Sequence, residues 1–236
     1  MKTNTSMRGV TIIKRIHPAF KYFIMNDAIR EWDKILKEDG IDLGVEGGVC
    51  FSTSNAFCKI LHKDFGIPCG LEMVETIAGN KHAIELFDYY TRQEDPEAFF
   101  IHLEELNKRK GKKNLTPEDP VVVGMGAGGN PDQFHFIMNL HRHGEMVDLT
   151  LSRVDRPQWG IKCNNYWAKY DKKFYRGGLI LSDEIRRASN CIVMTSKKKT
   201  LGRVAIEPER YGRQEEKIRE YINTQVIKRR LPVFLR

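Results

Sequence analysis

Apolar residues recur at helical spacing in the first part of the chain and alternate with polar ones in short stretches further on, a mixture that predicts an α+β fold. Pro18 and Gly40 bracket a helix from Ala19 to Glu38, with Phe20, Phe23, Ile24, Ile29, Trp32 and Leu36 on its apolar side. After the Gly47-Gly48 pair, Phe57, Ile60, Leu61 and Phe65 mark a second helix. Ser52, Thr53 and Ser54 are residue types that begin helices, and Gly66 and Pro68 end it. Leu71 to Ile77 reads as a short strand. Lys81–Arg92 and, behind Asp95-Pro96-Glu97, Ala98–Lys108 read as two more helices, and Lys108 to Pro120 is a polar loop.

Val121 to Val123 predicts a strand and Gly124 to Asn130 a glycine-rich loop, after which two patterns compete. Phe134 to Leu140 fits a strand with His135, Ile137 and Asn139 on one face, closed by the turn His141–Gly144 and answered by Met146 to Leu151. The same residues also fit a helix opened by Asn130-Pro131-Asp132 and ended at Gly144. Beyond Pro157 the pattern gives an aromatic and lysine-rich stretch (Trp159, Tyr166, Trp167, Tyr170, Phe174, Tyr175) and a strand Leu179–Leu181. A helix follows, opened by Ser182-Asp183-Glu184, then strands Cys191–Thr195 and Leu201–Ile206 and a charged helix from Pro208 to about Lys228. No internal repeat is visible.

Composition narrows the class. With 236 residues, 41% hydrophobic and 30% charged, the chain reads as a single globular domain, and no apolar run approaches the ~20 residues of a membrane span. Met1 to Gly9 lacks an apolar core of signal-peptide length, and the five cysteines are an odd number, so reduced thiols in the cytoplasm are expected. Net charge is +8, yet residues 151–236 hold 21 Lys and Arg against 9 Asp and Glu, leaving about −4 on the first 150 residues. That asymmetry fits an acidic partner, a nucleic acid, or a solvated basic face.

Cys50 stands where the second helix begins, and a thiol at a helix N-terminus feels unpaired N–H groups and the positive end of the macrodipole, which favour thiolate. A cysteine nucleophile also needs a base and a group to orient that base. On the strand reading, a four-residue loop at 141–144 sets residue 140 opposite 145 and 135 opposite 150, placing Asp148 on the same face as His135, within reach of a hydrogen bond. This pairing favours the strand over the helix.

Other patterns compete. Cys58, His62 and Cys69 form a possible metal group but fall short of the four ligands of a structural zinc site. Gly124-Met125-Gly126-Ala127-Gly128-Gly129, directly after a strand and with Asp148 some 20 residues on, mimics a dinucleotide-binding fingerprint. The alternation of strands and helices that such a fold needs does not follow it. The aromatics and lysines of 159–176 suit stacking on single-stranded nucleic acid, and equally suit amphipathic packing.

Three pieces together resemble the transglutaminase-like branch of the papain-type cysteine enzymes, with the arylamine N-acetyltransferases nearby. They are Gly48-Val49-Cys50 with its helix through Ala56 and Leu61 to Gly66-Ile67-Pro68, His135 leading Phe136-Ile137-Met138-Asn139-Leu140, and Gly144-Glu145-Met146-Val147-Asp148-Leu149-Thr150. The resemblance covers residues 50–68 and 134–150. It implies a papain/transglutaminase-like core in which the nucleophile helix packs on an antiparallel sheet. It implies a Cys50–His135–Asp148 triad forming an acyl-enzyme from an amide or thioester, in a peptidase, amidase or acyltransferase that needs no metal or cofactor. The long interval from Cys50 to His135 then makes about 79–119 a helical insertion, perched as a cap over the cleft, and about 155–236 a basic C-terminal extension. Gly126, Gly128 and Gly129 would touch a peptide, protein or small amide substrate through their backbone. The alternative from another class is a non-catalytic binding protein on the same fold, engaging an acidic partner or nucleic acid.

Overall fold

Every strand pair among the described residues runs antiparallel. The computed structural model describes residues 14–41, 49–125, 135–170, 183–195 and 211–235. Helix α1 (Pro18–Phe23) opens with Pro18 at its first turn and the His17 side chain accepting from the Ala19 N–H, then passes through a π-helical turn (Ile24–Ala28) into α2 (Ile29–Glu38). Helix α3 (Val49–Phe65) follows, ended by Gly66 at φ +64° with the Ile67 N–H bonded back to the Leu61 carbonyl. Strand β1 (Gly70–Gly79), helices α4 (Lys81–Arg92) and α5 (Pro96–Lys110), and strands β2 (Val122–Met125), β3 (His135–Leu140), β4 (Glu145–Asp148) and β5 (Tyr166–Lys169) come next. Helix α6 (Asp183–Ser189), β6 (Cys191–Thr195) and α7 (Gly212–Lys228) complete the described chain.

The long strand β1 organises the sheet. Its first half pairs with β3, Gly70 opposite Asn139 through Val74 opposite His135, and its second half with β2, Thr76 opposite Met125 through Gly79 opposite Val122. Because β6 pairs with Val74 to Ala78, overlapping both, it takes the other edge. Strands β2 and β3 therefore lie end to end along one edge of β1. They leave and rejoin its ladder on either side of Glu75, so the segment 126–134 interrupts a single line of pairing. Strand β4 pairs with β3, and β5 with β4.

Both faces of this sheet are covered, which explains why β3 and β4 are buried almost throughout. On one face Met138, Leu140, Val147, Leu149 and Trp167 pack with Phe20, Trp32, Phe57 and Leu61 from the helices and with Ile218 and Ile222 of α7. On the other, Val74, Ile137, Met146, Tyr166 and Ala168 meet Leu151, Val154, Ile161 and Ile185. Helices α4 and α5 pack through Phe87, Phe99 and Leu103 on Ile77 and Val122, at the far end of β1. Asn80 joins this pair to the sheet. Its side-chain oxygen accepts from the N–H groups of Ala83 and Val121, and its amide donates to the carbonyls of Pro117, Asp119 and Trp159.

The region from 155 onward is built into the domain, since it supplies β5, β6 and α7. Four of its basic residues pair with acidic residues of the first half, Arg186 with Asp88, Lys217 with Asp39, Arg219 with Asp64 and Arg229 with Asp27, and just before it Arg153 pairs with Asp33. The charge asymmetry between the halves is thus partly complementarity of the chain with itself. The aromatic and lysine-rich stretch holds a strand the pattern did not predict: Tyr166 and Trp167 are buried on opposite faces of β5, so they are not platforms for stacked bases. The predicted strands Leu179–Leu181 and Leu201–Ile206 lie outside the described residues. Among the described residues no helix is long and apolar enough to cross a membrane.

Candidate active site

The alternation of β3 and the four-residue turn decide where the polar groups fall. Leu140 faces Glu145 across His141–Gly144, with Gly144 at φ +63°, followed by Asn139 opposite Met146 and Met138 opposite Val147. Carried on, this register sets His135 across from Thr150, with Asp148 on its diagonal. His135 Nε2 and Asp148 Oδ2 are 2.5 Å apart, both side chains buried. The other carboxylate oxygen accepts from the Thr150 backbone N–H (2.9 Å) and from the Thr150 hydroxyl (3.2 Å), a turn in which Asp148 binds two residues on along its own backbone. With three contacts, one from His135 on one oxygen and two from Thr150 on the other, the carboxylate has a single orientation.

Cys50, in the first turn of α3, completes the cluster. Its thiol hydrogen-bonds to the imidazole of His135 and to the backbone of Phe136. Nε2 is taken by Asp148, which leaves Nδ1 as the ring nitrogen available to a further partner. One helical turn on, the Ser54 hydroxyl donates to the Phe136 carbonyl (2.9 Å), and between them the Phe51 ring packs edge-on against that of Phe136, centroids 5.0 Å apart. Positions 50, 51 and 54 thus form one contact face, at the spacing that brings helical side chains together. They clamp the start of α3 to the start of β3. Trp32 secures the same helix from behind, its indole N–H donating to Thr53 Oγ1 (2.8 Å).

The electrostatics follow from this packing. Burial pushes the Cys50 thiol up, but the hydrogen bond and positive charge of His135, with the Phe136 backbone, outweigh it and hold the thiol below its ordinary value. Burial alone would lower His135. The Asp148 charge and hydrogen bond, with Cys50, overcome that and raise the imidazole to about 10. Both shifts favour a thiolate beside an imidazolium over the neutral pair, and the positive end of α3 acts in the same direction.

The remaining sequence candidates divide. Gly126, Gly128 and Gly129 lie outside the described residues. Cys58 and Cys69 come together on the far half of α3, but no group of three or more His, Cys, Asp or Glu able to hold a metal occurs among the described residues. The dinucleotide reading needs a parallel strand, a glycine turn and a helix. Here β2 is antiparallel to β1, and the helix drawn from Asn130-Pro131-Asp132 is replaced by strand β3. Ser54 and Thr150 were not singled out from sequence as parts of the site. Thr150 had a signal in Asp-x-Thr after a strand. Ser54 had none beyond its spacing from Cys50.

No protein-family model matches the chain, and comparison with curated proteins and with solved structures finds no significant match.

Proposed function

We propose that the protein is a cysteine-nucleophile hydrolase or acyltransferase acting on an amide or thioester, on a transglutaminase-like core. The observation that carries this is the chain of contacts from the Cys50 thiol to the His135 imidazole and from His135 Nε2 to Asp148. Nucleophile, base and orienting group stand in that order.

In the reaction the Cys50 thiolate attacks the carbonyl carbon, and its own backbone N–H at the start of α3 donates to the developing oxyanion. The His135 imidazolium gives its proton to the leaving amine or thiol as the tetrahedral intermediate collapses to a thioester on Cys50. The neutral imidazole then takes a proton from water, or from an amine acceptor, as that group attacks the thioester. Collapse expels the thiolate and restores the ion pair. Asp148 keeps the ring oriented throughout. The substrate class is a peptide, protein or small amide, with no metal or bound cofactor in the scheme.

The test is intact-mass spectrometry of the protein after exposure to a library of acyl donors and peptides. An acyl adduct on Cys50 that is released by hydroxylamine or by amines is the expected result, and it is lost in Cys50→Ala. A library that leaves Cys50 unmodified, or turnover that survives Cys50→Ala, overturns the reading in favour of a binding role.

A further inference from the structure

Helix α3 carries a second cysteine two turns beyond the first. After Gly66 reverses the chain, Pro68 leads it back along the helix, and Cys69 arrives beside Cys58 just before β1 begins. The Cys69 sulfur lies 2.9 Å from the Cys58 sulfur and 3.1 Å from the Cys58 carbonyl oxygen. Both residues are partly buried, on the rim of the helical core. A disulfide bond is about 2.05 Å long, so bonding needs a closure of about 1 Å.

We propose that Cys58 and Cys69 are a vicinal redox pair that closes to an intramolecular disulfide when a hydroperoxide oxidises it. The Cys58 thiolate attacks the peroxide oxygen, forming a sulfenic acid and releasing hydroxide, or alkoxide from an organic peroxide. The Cys69 sulfur then attacks the Cys58 sulfur and expels hydroxide, which takes the Cys69 proton and leaves as water. Two thiols and one hydrogen peroxide thus give one disulfide and two waters.

The other thiols are placed differently. Cys50 is held by His135, and Cys163 and Cys191 are buried, their thiols pushed up by burial, to about 12 for Cys163. Within the pair the roles are also set. The hydrogen bond from Cys69 lowers Cys58 against the opposing effect of burial, with help from the Lys59 charge, while the shared proton and burial raise Cys69. Cys58 is the attacking thiolate and Cys69 the resolving thiol. The bond would tie α3 to the first residues of β1, leaving the start of α3 untouched.

The experiment treats the full-length Cys50→Ala protein with one equivalent of hydrogen peroxide at neutral pH and follows it by intact mass, differential alkylation and peptide mapping. The expected product has lost two hydrogens, is monomeric, maps to Cys58 joined to Cys69, melts at higher temperature and returns to the dithiol with dithiothreitol. In Cys69→Ser a sulfenic acid trapped by dimedone accumulates on Cys58, while Cys58→Ser gives little dimedone adduct on Cys69. Oxygen adducts on either residue with no loss of hydrogens, or a bond from either to a different cysteine, overturn the pair. Faster dimedone labelling of Cys69 than of Cys58 in the two single variants overturns the mechanism. Because Cys50 is absent from the protein tested, none of these outcomes depends on the acyl-transfer chemistry.

Discussion

Ser54 holds the carbonyl of Phe136 at 2.9 Å, and the N–H side of the same residue faces the Cys50 sulfur. One residue of strand β3 is therefore gripped by two residues of α3 a single turn apart, and the helix cannot slide along the strand without breaking both contacts. Ser54→Ala removes one of them and leaves a buried carbonyl short of a donor, at a cost of about 1–2 kcal/mol. The expected result is a modest fall in melting temperature and a several-fold slower alkylation of Cys50 at neutral pH. An unchanged rate–pH profile would show that the hydroxyl serves stability alone.

The Cys50–His135 contact sets two pH limits. His135 is raised from an ordinary 6.5 to about 10, so the stability it contributes is complete below about 6.5 and is lost as pH rises through about 10. Cys50 is lowered from 9.0, so its contribution is present above 9.0 and is lost as pH falls through its folded value. Turnover is expected to rise through an inflection below 9.0 and to decline near 10, where the imidazolium loses the proton it must donate. In His135→Ala both contributions of the imidazole are gone, leaving burial and the Asp148 charge to oppose the Phe136 backbone bond, and iodoacetamide kinetics should show the Cys50 inflection moved upward. Asp148→Asn lowers the His135 pKa and weakens orientation, with a loss of turnover on the order of 10²–10⁴-fold.

Tyr166 stands directly across from Asp148 in the β4–β5 ladder, fully buried, and its hydroxyl has no hydrogen-bond partner among the described residues. Burial and the Asp148 charge both keep the phenol protonated. Tyr166→Phe removes an unsatisfied group while keeping the ring, so stability should rise by about 1 kcal/mol, measured by chemical denaturation. A destabilised variant would reveal a partner for the hydroxyl, such as a bound water.

Asn80 fixes the α4–α5 pair with both ends of its amide. Asn80→Asp keeps the oxygen that caps α4 but cannot donate to the three carbonyls, whereas Asn80→Ala loses both functions. The expected losses are about 1–2 kcal/mol for the aspartate and about 3 kcal/mol for the alanine. Equal losses would mean that the bonds to the three carbonyls dominate and the cap adds little.

How much of this was legible in the sequence depended on how local the determinants were. The helix ends at Pro18, Gly66 and Pro96 are set within a turn of each residue. The Leu140–Glu145 register follows from a turn length, so the His135–Asp148 contact could be drawn in advance. Strand β5 could not, because Tyr166 and Trp167 are buried on both faces and show no alternation. The π-helical turn at Ile24–Ala28 left no mark on the periodicity. The basic C-terminal half fits an acidic partner, a nucleic acid or a solvated basic face when read from sequence alone. Its pairing with Asp27, Asp33, Asp39, Asp64 and Asp88 is non-local, and only the fold reveals it.

The end-to-end arrangement of β2 and β3 has a consequence for the placing of His135. Residues 126–134 leave the ladder at Met125 and return at His135, positions whose partners, Thr76 and Val74, are two residues apart, about 7 Å along the strand. Entry and exit are nearly the same doorway. His135 thus takes its place in the sheet from Val74 of β1 across the ladder, rather than from the residues that precede it in sequence.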